Sequence, residues 1–249
     1  MGHIIPLLEG GLAFLTLELF LFKPTLLVYI VIALSIFIIL GMLIPRKRFL
    51  SGREFWHYLS TPLIFIWSAV LLFIFLENIY LKHFFILGTT IYLFLYFENL
   101  FHYFITTDKD GRNNFLRMTN LMNVVSIFFL SAGLFAIKIF IQLPIWMLSS
   151  IFFIFSAGLI YNSFSILKIK LKEIFWEILI LSLLMTEFFI AIHFLPVGFY
   201  TAGAILAIIF YMFAGVLINK MKHKEVNYKR YVITGFILLF MVLLTARWV

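Results

Sequence analysis

Runs of about 20 consecutive apolar residues recur along almost the whole chain, and this repetition restricts the fold more than any other feature. A helix of that length crosses a hydrocarbon layer of roughly 30 Å, because each helical residue rises about 1.5 Å. Hydrophobic residues make up 64% of the 249 residues and charged residues only 12%, which is too apolar for one water-soluble core. No strand-like alternation is visible. The sequence therefore predicts an all-α fold, a polytopic transmembrane helical bundle.

The apolar runs predict eight or nine spanning helices, joined by short loops and with no soluble domain. The number depends on the first run, because Glu9, Gly10, Gly11 and Glu18 weaken it and Lys23 follows it. An interfacial position for this run is the alternative. The chain is then a single integral membrane domain, residues 1–249. The predicted helices cover residues 4–22, 25–45, 60–80, 82–106, 117–140, 143–166, 173–194, 197–219 and 229–248.

Basic residues predict the orientation of the bundle. Of the 19 lysines and arginines, 15 fall in every second loop, and the positive-inside rule places those loops in the cytoplasm and the C-terminus outside. The heavy use of Phe, Ile and Lys is typical of an AT-rich bacterial genome, so we expect a multi-pass protein of the cytoplasmic (inner) membrane. The 15 residues are Arg46, Lys47, Arg48, Arg53, Lys109, Arg112, Arg117, Lys168, Lys170, Lys172, Lys220, Lys222, Lys224, Lys229 and Arg230.

The same basic loops explain the net charge of +8 without nucleic acid. Lysines and arginines at the ends of spans set topology and contact anionic headgroups. We therefore expect membrane lipids, including anionic lipids at the cytoplasmic loops, as partners, and no nucleic acid. The sequence also leaves open a membrane protein partner.

Three local features carry structural predictions. The segment 46–59 mixes arginine with aromatic residues as interfacial helices do, and Ser60, Thr61 and Pro62 resemble the start of the third helix. The segment 108–114, DKDGRNN, fails the spacing of a calcium loop and predicts a polar turn. Small residues predict close helix packing at 131–133, at 156–158, and where Gly203 and Ala207 are spaced four apart.

The motifs of well-known enzyme classes are missing from the sequence. The chain has no cysteine, no glycine-rich phosphate loop, no HExxH and no GxSxG. We therefore predict no catalytic residue, no metal and no cofactor, and the sequence leaves open whether the protein is an enzyme.

Ionisable residues inside the spans are the remaining functional candidates, because each costs several kcal/mol in a bilayer unless neutralised, paired or wet. Glu98 and His102, in the stretch YFENLFHY, lie four residues apart and share a helix face. We expect them to point into the bundle beside Glu177 of the seventh helix, and we expect Glu187 of that helix to face the interior. The binding or proton-coupling candidates are thus Glu98, His102, Glu177 and Glu187.

A metal centre that uses Glu98, His102, Glu187 and His193 is the alternative, but depth argues against it. At about 1.5 Å per helical residue, the two histidines lie about 20 Å apart along the membrane normal. We therefore favour a protein that binds or moves a small or lipidic molecule through a polar cluster in the bundle. The alternatives are a non-catalytic scaffold or assembly subunit and, third, an intramembrane lipid-modifying enzyme.

Overall fold

The computed structural model describes residues 4–49, 52–105, 109–165, 171–221 and 228–246. These ranges are helical apart from short connections, which confirms the predicted all-α membrane bundle. A 3-10 turn at Pro24–Leu26 links the first two helices. The helices are α1 (Ile4–Phe22), α2 (Leu27–Phe49), α3 (Gly52–Phe73), α4 (Ile79–Ile105), α5 (Lys109–Phe140), α6 (Ile145–Ser165), α7 (Leu171–His193), α8 (Phe199–Met221) and α9 (Tyr228–Thr245).

Eight of the described helices, α1 to α8, are long and apolar enough to cross a membrane. Helix α1 qualifies with 19 residues, so the weak first run still has the length and composition of a span. The apolar part of α9, Tyr231–Thr245, is shorter. The helix that decides between eight and nine spans is therefore the last described helix and not the first.

Two compact units divide the chain, Met1–Met122 (unit 1) and Asn123–Val249 (unit 2). In unit 1, α1 packs against α2 and α4, and α3 packs against the same two helices. In unit 2, α7 packs against α6 and α8, and α8 also packs against α6 and α9. The single integral membrane domain stays a prediction.

Helix α3 begins earlier than predicted, and its proline is internal. The predicted interfacial helix over 46–59 and the helix start at Pro62 are wrong, because α2 continues to Phe49 and α3 begins at Gly52. Proline has no N–H, so the carbonyl of Tyr58, four residues earlier, loses its helical donor. The hydroxyl of Tyr96 on α4 donates to that carbonyl at 2.7 Å. A bond from a neighbouring helix thus replaces the lost one and lets α3 continue through the proline.

Helix α5 also begins early, at Lys109, so the polar turn predicted over 108–114 is wrong for 109–114; Asp108 lies outside the described residues. Polar residues do not end a helix by themselves, and one glycine in its interior costs only about 1 kcal/mol.

Phe115 anchors this end of α5. Its ring centroid lies 5.6 Å from those of Tyr58 and Tyr96 and 5.4 Å from that of Tyr103.

Close packing in unit 2 occurs where small residues predicted it. A Cβ added to Gly203 on α8 would lie 2.8 Å from the Cβ of Ala132 and 3.0 Å from its backbone nitrogen. This contact confirms the prediction for 131–133 and Gly203. Beside it, the ring of Phe189 on α7 stacks between Phe135 on α5 at 4.5 Å and Phe152 on α6 at 4.8 Å. The core of this unit is therefore apolar and tightly filled.

Candidate functional site

The stretch YFENLFHY lies on α4, and its inward face is aromatic. Glu98 is half-buried and His102 is exposed, so the expectation that both point into the bundle is wrong for His102. The reason is register. At about 100° per residue, the inward positions share one face of α4, His102 lies on the opposite face, and Glu98 lies between the two. The buried side chains of the stretch are Tyr96, Phe97, Leu100 and Phe101.

Helix α7 places its two glutamates differently from each other. Glu177 is half-buried, whereas Glu187 is exposed, and the expectation that Glu187 faces the interior is wrong. Met185 and Phe189 are buried, and Glu187 lies midway between them on the opposite side of the helix. Glu98 and His102 belong to unit 1, and Glu177 and Glu187 to unit 2. The clustering of the four residues stays a prediction.

The deepest acid is instead Glu9 of α1. It is 6% exposed and is the only buried acidic or basic side chain among the described residues. Its carboxyl group lies directly over Gly41 of α2, where an added Cβ would come within 2.6 Å of the carboxyl carbon. Its Oε2 atom is buried and has no hydrogen-bond partner in the described part of the chain. Burying an acid in this way costs several kcal/mol unless a proton, water or ligand satisfies it.

Glycine also brings α1 close to α4 beside this acid. A Cβ added to Gly10 would lie 3.2 Å from the Cβ of Phe94 and 3.8 Å from the Cγ2 of Thr90. Two turns further along α1, Glu18 Oε1 lies 2.9 Å from Nδ1 of His83 on α4. From the first contact to the second, the residue number rises on α1, from Gly10 to Glu18, and falls on α4, from Phe94 to His83. The two helices are therefore antiparallel. Glu9 therefore lies at the level of Thr90 to Phe94, near the middle of α4.

Hydroxyl groups without partners lie at the same level. The Oγ1 atoms of Thr89 and Thr90 and the Oγ atom of Ser68 on α3 are buried and have no hydrogen-bond partner among the described residues. Hydroxyls inside helices usually donate to the carbonyl four residues earlier, as Thr119 does to Phe115 at 3.0 Å. These three hydroxyls do not, so their oxygens are free to bind something else.

The aromatic contacts between α3 and α4 place Ser68 opposite Thr89. Phe65 stacks on Tyr92 with ring centroids 6.1 Å apart, and Phe73 meets Phe85 at 6.0 Å. Ser68 lies between the two residues of α3, and Thr89 lies between their two partners on α4. We call Glu9, Ser68, Thr89 and Thr90 the polar layer of unit 1.

The sequence does not predict this layer, because Glu9 and Gly10 make the first apolar run weaker and so argue against it as a span. The same two residues make the site, since glycine permits the close approach and the acid occupies it. An acid next to a glycine inside an apolar run was the available indication. The hydroxyls gave none, because threonine and serine are common in spanning helices and their partners depend on the fold.

The polar layer does not resemble a metal centre. Among the described residues, no group of three or more His, Cys, Asp or Glu could hold a metal ion. Fold and layer together define a multi-pass membrane protein of helical-bundle type. Comparison with known protein families, with curated proteins and with solved structures finds no match for the chain.

Proposed function

We propose that the protein binds or moves a small or lipidic molecule at the polar layer of unit 1. The observation that supports this most is Glu9, a buried acid whose Oε2 atom has no partner among the described residues. In transporters of known type, substrate and ion sites lie near the bilayer midplane between helices. The polar layer has that depth, since Thr89 and Thr90 lie near the middle of α4.

The rival explanation is that buried polar groups only hold helices together. Unit 2 contains an example of such a group. Asn123 on α5 donates to Ser163 Oγ at 2.8 Å and to the Leu159 carbonyl at 3.3 Å, both on α6. Interhelical bonds of this kind contribute about 0.6 to 2 kcal/mol each. Glu9 makes no such bond to the described residues. Its burial is therefore better explained by a bound proton, water or ligand than by helix association.

The residues first singled out on α4 extend from the polar layer towards one end of the bundle. Thr90, Phe94, Glu98 and His102 follow at four-residue intervals and form one row, which turns about 40° per step around the helix. Helix α1 covers the row at Thr90 and Phe94. The turn carries the row outward, in agreement with a half-buried Glu98 and an exposed His102. This row is the proposed route from the polar layer to the cytoplasm.

The proposed orientation rests on the basic loops, which would face the cytoplasm and contact anionic lipids. Residues 166–170 and 222–227, which hold Lys168, Lys170, Lys222 and Lys224, lie outside the described residues. A cysteine introduced at position 225 tests this directly in a chain without native cysteine. It should resist an impermeant thiol reagent added to intact cells. Labelling from outside would reverse the orientation.

Water access tests the proposed function, because a transporter or binding protein must open its site whereas a closed scaffold need not. Single cysteines at Ser68 and Thr90 differ little in size from the native side chains. We expect both to react with a small hydrophilic thiol reagent in native membranes. The control is Ser182→Cys in unit 2, since Ser182 is fully buried and its hydroxyl donates to the carbonyl of Ile178.

The control cysteine should stay unmodified until the protein is denatured. If the cysteines at Ser68 and Thr90 are also unreactive until denaturation, the bundle is closed at this level. The function proposed here would then be wrong, and the scaffold explanation would replace it.

A further inference from the structure

We propose that the polar layer of unit 1 binds a sodium ion, with the Glu9 carboxylate as its charged ligand. This inference rests on the proposed function and names the ligand that the layer takes. It starts from the four buried oxygens of Glu9, Ser68, Thr89 and Thr90 that have no hydrogen-bond partner among the described residues. A buried oxygen without a donor is a ligand for a cation as readily as for a proton.

The type of ligand atom favours a hard cation. The polar layer offers carboxylate and hydroxyl oxygens, and no cysteine is present in the chain to supply a soft ligand. Oxygen ligands suit alkali and alkaline-earth ions, whereas zinc and copper prefer nitrogen and sulfur. The layer is therefore unsuited to zinc or copper.

The charge of the layer favours a monovalent ion. Glu9 is its only acid, so the layer carries one negative charge at most. Calcium takes six to eight oxygens and generally several carboxylates, and magnesium keeps much of its water shell. One carboxylate balances one positive charge, and neutral hydroxyls complete the coordination.

Among the described side chains of unit 1, no basic group supplies that positive charge at this level. The described side chains of α2, residues 27–43, are all uncharged, and the described side chains of α3, residues 55–73, include only His57 near the start of the helix. On α1, Glu18 pairs with His83 of α4 two turns away from Glu9. The other charged groups of α1 and α4 lie at the ends, namely Lys23 and Lys82 at one end and Glu98 and His102 at the other.

Two glycines give the carboxylate its position. Gly41 has no Cβ, so the carboxyl group of Glu9 can lie between α1 and α2. Gly10 has the same effect on the other side, where it lets α4 approach until Thr90 contacts α1. The acid and the hydroxyls thus come to one level because both interfaces are close.

Modification of Glu9 by a hydrophobic carbodiimide tests the inference, since such reagents modify carboxyl groups within membranes. Purified protein in detergent is treated at constant pH and ionic strength in sodium chloride or choline chloride, and the adduct is located by peptide mass spectrometry. We expect sodium to slow modification of Glu9 at least several-fold relative to choline. Glu187, which is exposed on α7, is the internal control and should react equally in both salts.

Variants show whether the hydroxyls take part. Thr90→Val keeps the shape of the side chain and removes one oxygen, so the sodium concentration that gives half protection should rise several-fold. The matched control is Thr186→Val, because the Thr186 hydroxyl already donates to the Ser182 carbonyl at 2.8 Å. Its half-protection concentration should equal that of the native chain.

The outcomes separate the inference from the proposed function. If modification of Glu9 responds to pH but not to sodium, the site takes a proton and the sodium inference is wrong, while the proposed function stands. Equal protection by sodium in Thr90→Val and the native chain would show that Thr90 is not a ligand, which contradicts a sodium site at the polar layer. If the cysteines at Ser68 and Thr90 are inaccessible, the proposed function fails and the sodium site fails with it.

Discussion

Unit 1 and unit 2 both bury polar side chains between apolar helices, but they satisfy them in different ways. In unit 2, the hydroxyls of Ser131, Ser163 and Ser182 donate to carbonyls of their own helices, and Asn123 bonds across to α6. In unit 1, the oxygens of the polar layer lie buried without partners among the described residues. The difference indicates that the donating groups of unit 2 serve packing, whereas the polar layer of unit 1 is available to a ligand.

One glycine from each unit shows a related difference. Gly203 of unit 2 contacts the backbone of Ala132, and Gly41 of unit 1 contacts the flexible end of Glu9. Backbone atoms of a packed helix cannot move independently, whereas a carboxyl group can turn aside. Close approach at Gly203 therefore stabilises the fold, and close approach at Gly41 positions a functional group.

The largest predicted effect is in unit 2, for Gly203→Val. The added side chain would meet Ala132 and force α8 away from α5, so we expect the free energy of unfolding to fall by about 3 kcal/mol. Gly41→Val in unit 1 is the matched comparison and should cost less than half as much, because the carboxyl group of Glu9 can turn aside. Denaturation in mixed detergent measures both. Equal losses would mean that the two glycines have the same role.

Tyr96→Phe should have the next largest effect. It removes the donor to the Tyr58 carbonyl that Pro62 leaves unpaired, and we expect a loss of about 1.5 kcal/mol. Pro62→Ala restores a backbone N–H for that carbonyl. In a double-mutant cycle, Tyr96→Phe should therefore cost clearly less when residue 62 is alanine. An unchanged cost would show that the hydroxyl does not compensate for the proline.

Asn123→Ala and Glu9→Gln distinguish polar groups that hold helices together from polar groups that bind a ligand. The two variants should differ in their effect on the free energy of unfolding. Loss of Asn123 removes its bonds to α6 and should cost about 1 kcal/mol. Glu9→Gln removes a buried acid that has no partner in the described residues, so stability should stay within about 0.5 kcal/mol of native or rise. A loss above 1 kcal/mol for Glu9→Gln would show that the Glu9 side chain holds neighbouring helices together.

The smallest predicted effect concerns the pair Glu18–His83. The His83 side chain is 50% exposed, and exposed ion pairs contribute little because water and salt screen them. We expect His83→Gln to change the free energy of unfolding by less than about 0.5 kcal/mol. A larger loss that persists at high salt would show that this pair holds α1 against α4.

The fold was largely predictable from the sequence because the length of an apolar run and the thickness of a bilayer are directly related. The start of α3 was not, since the effect of Pro62 depends on Tyr96, a residue from another helix. For the site, the sequence predicts the type of residue but not which residues form it. Depth and periodicity identified ionisable residues within spans, but which face of α4 or α7 turns inward depends on packing.

Glu9 also shows that a site residue cannot be recognised without knowing which helix packs against it. Its charge lowered the expectation that the first run spans, and only the approach of Gly41 makes room for the carboxyl group. A residue that looks unfavourable in one helix becomes favourable when a glycine of a second helix faces it. Such a pairing cannot be recognised from either helix alone.

The central claim is that Glu9 lies buried against Gly41, and a disulfide between these two positions tests it most directly. A Cβ added to Gly41 would lie 3.0 Å from the Cγ of Glu9, the atom whose place a cysteine sulfur takes. This separation suits a disulfide. In a chain without native cysteine, Glu9→Cys with Gly41→Cys should oxidise readily, and Glu9→Cys with Ser35→Cys, two turns away on α2, should not. Failure of the first pair to form the bond, or equal bond formation by both pairs, would contradict the position of Glu9 and with it the polar layer.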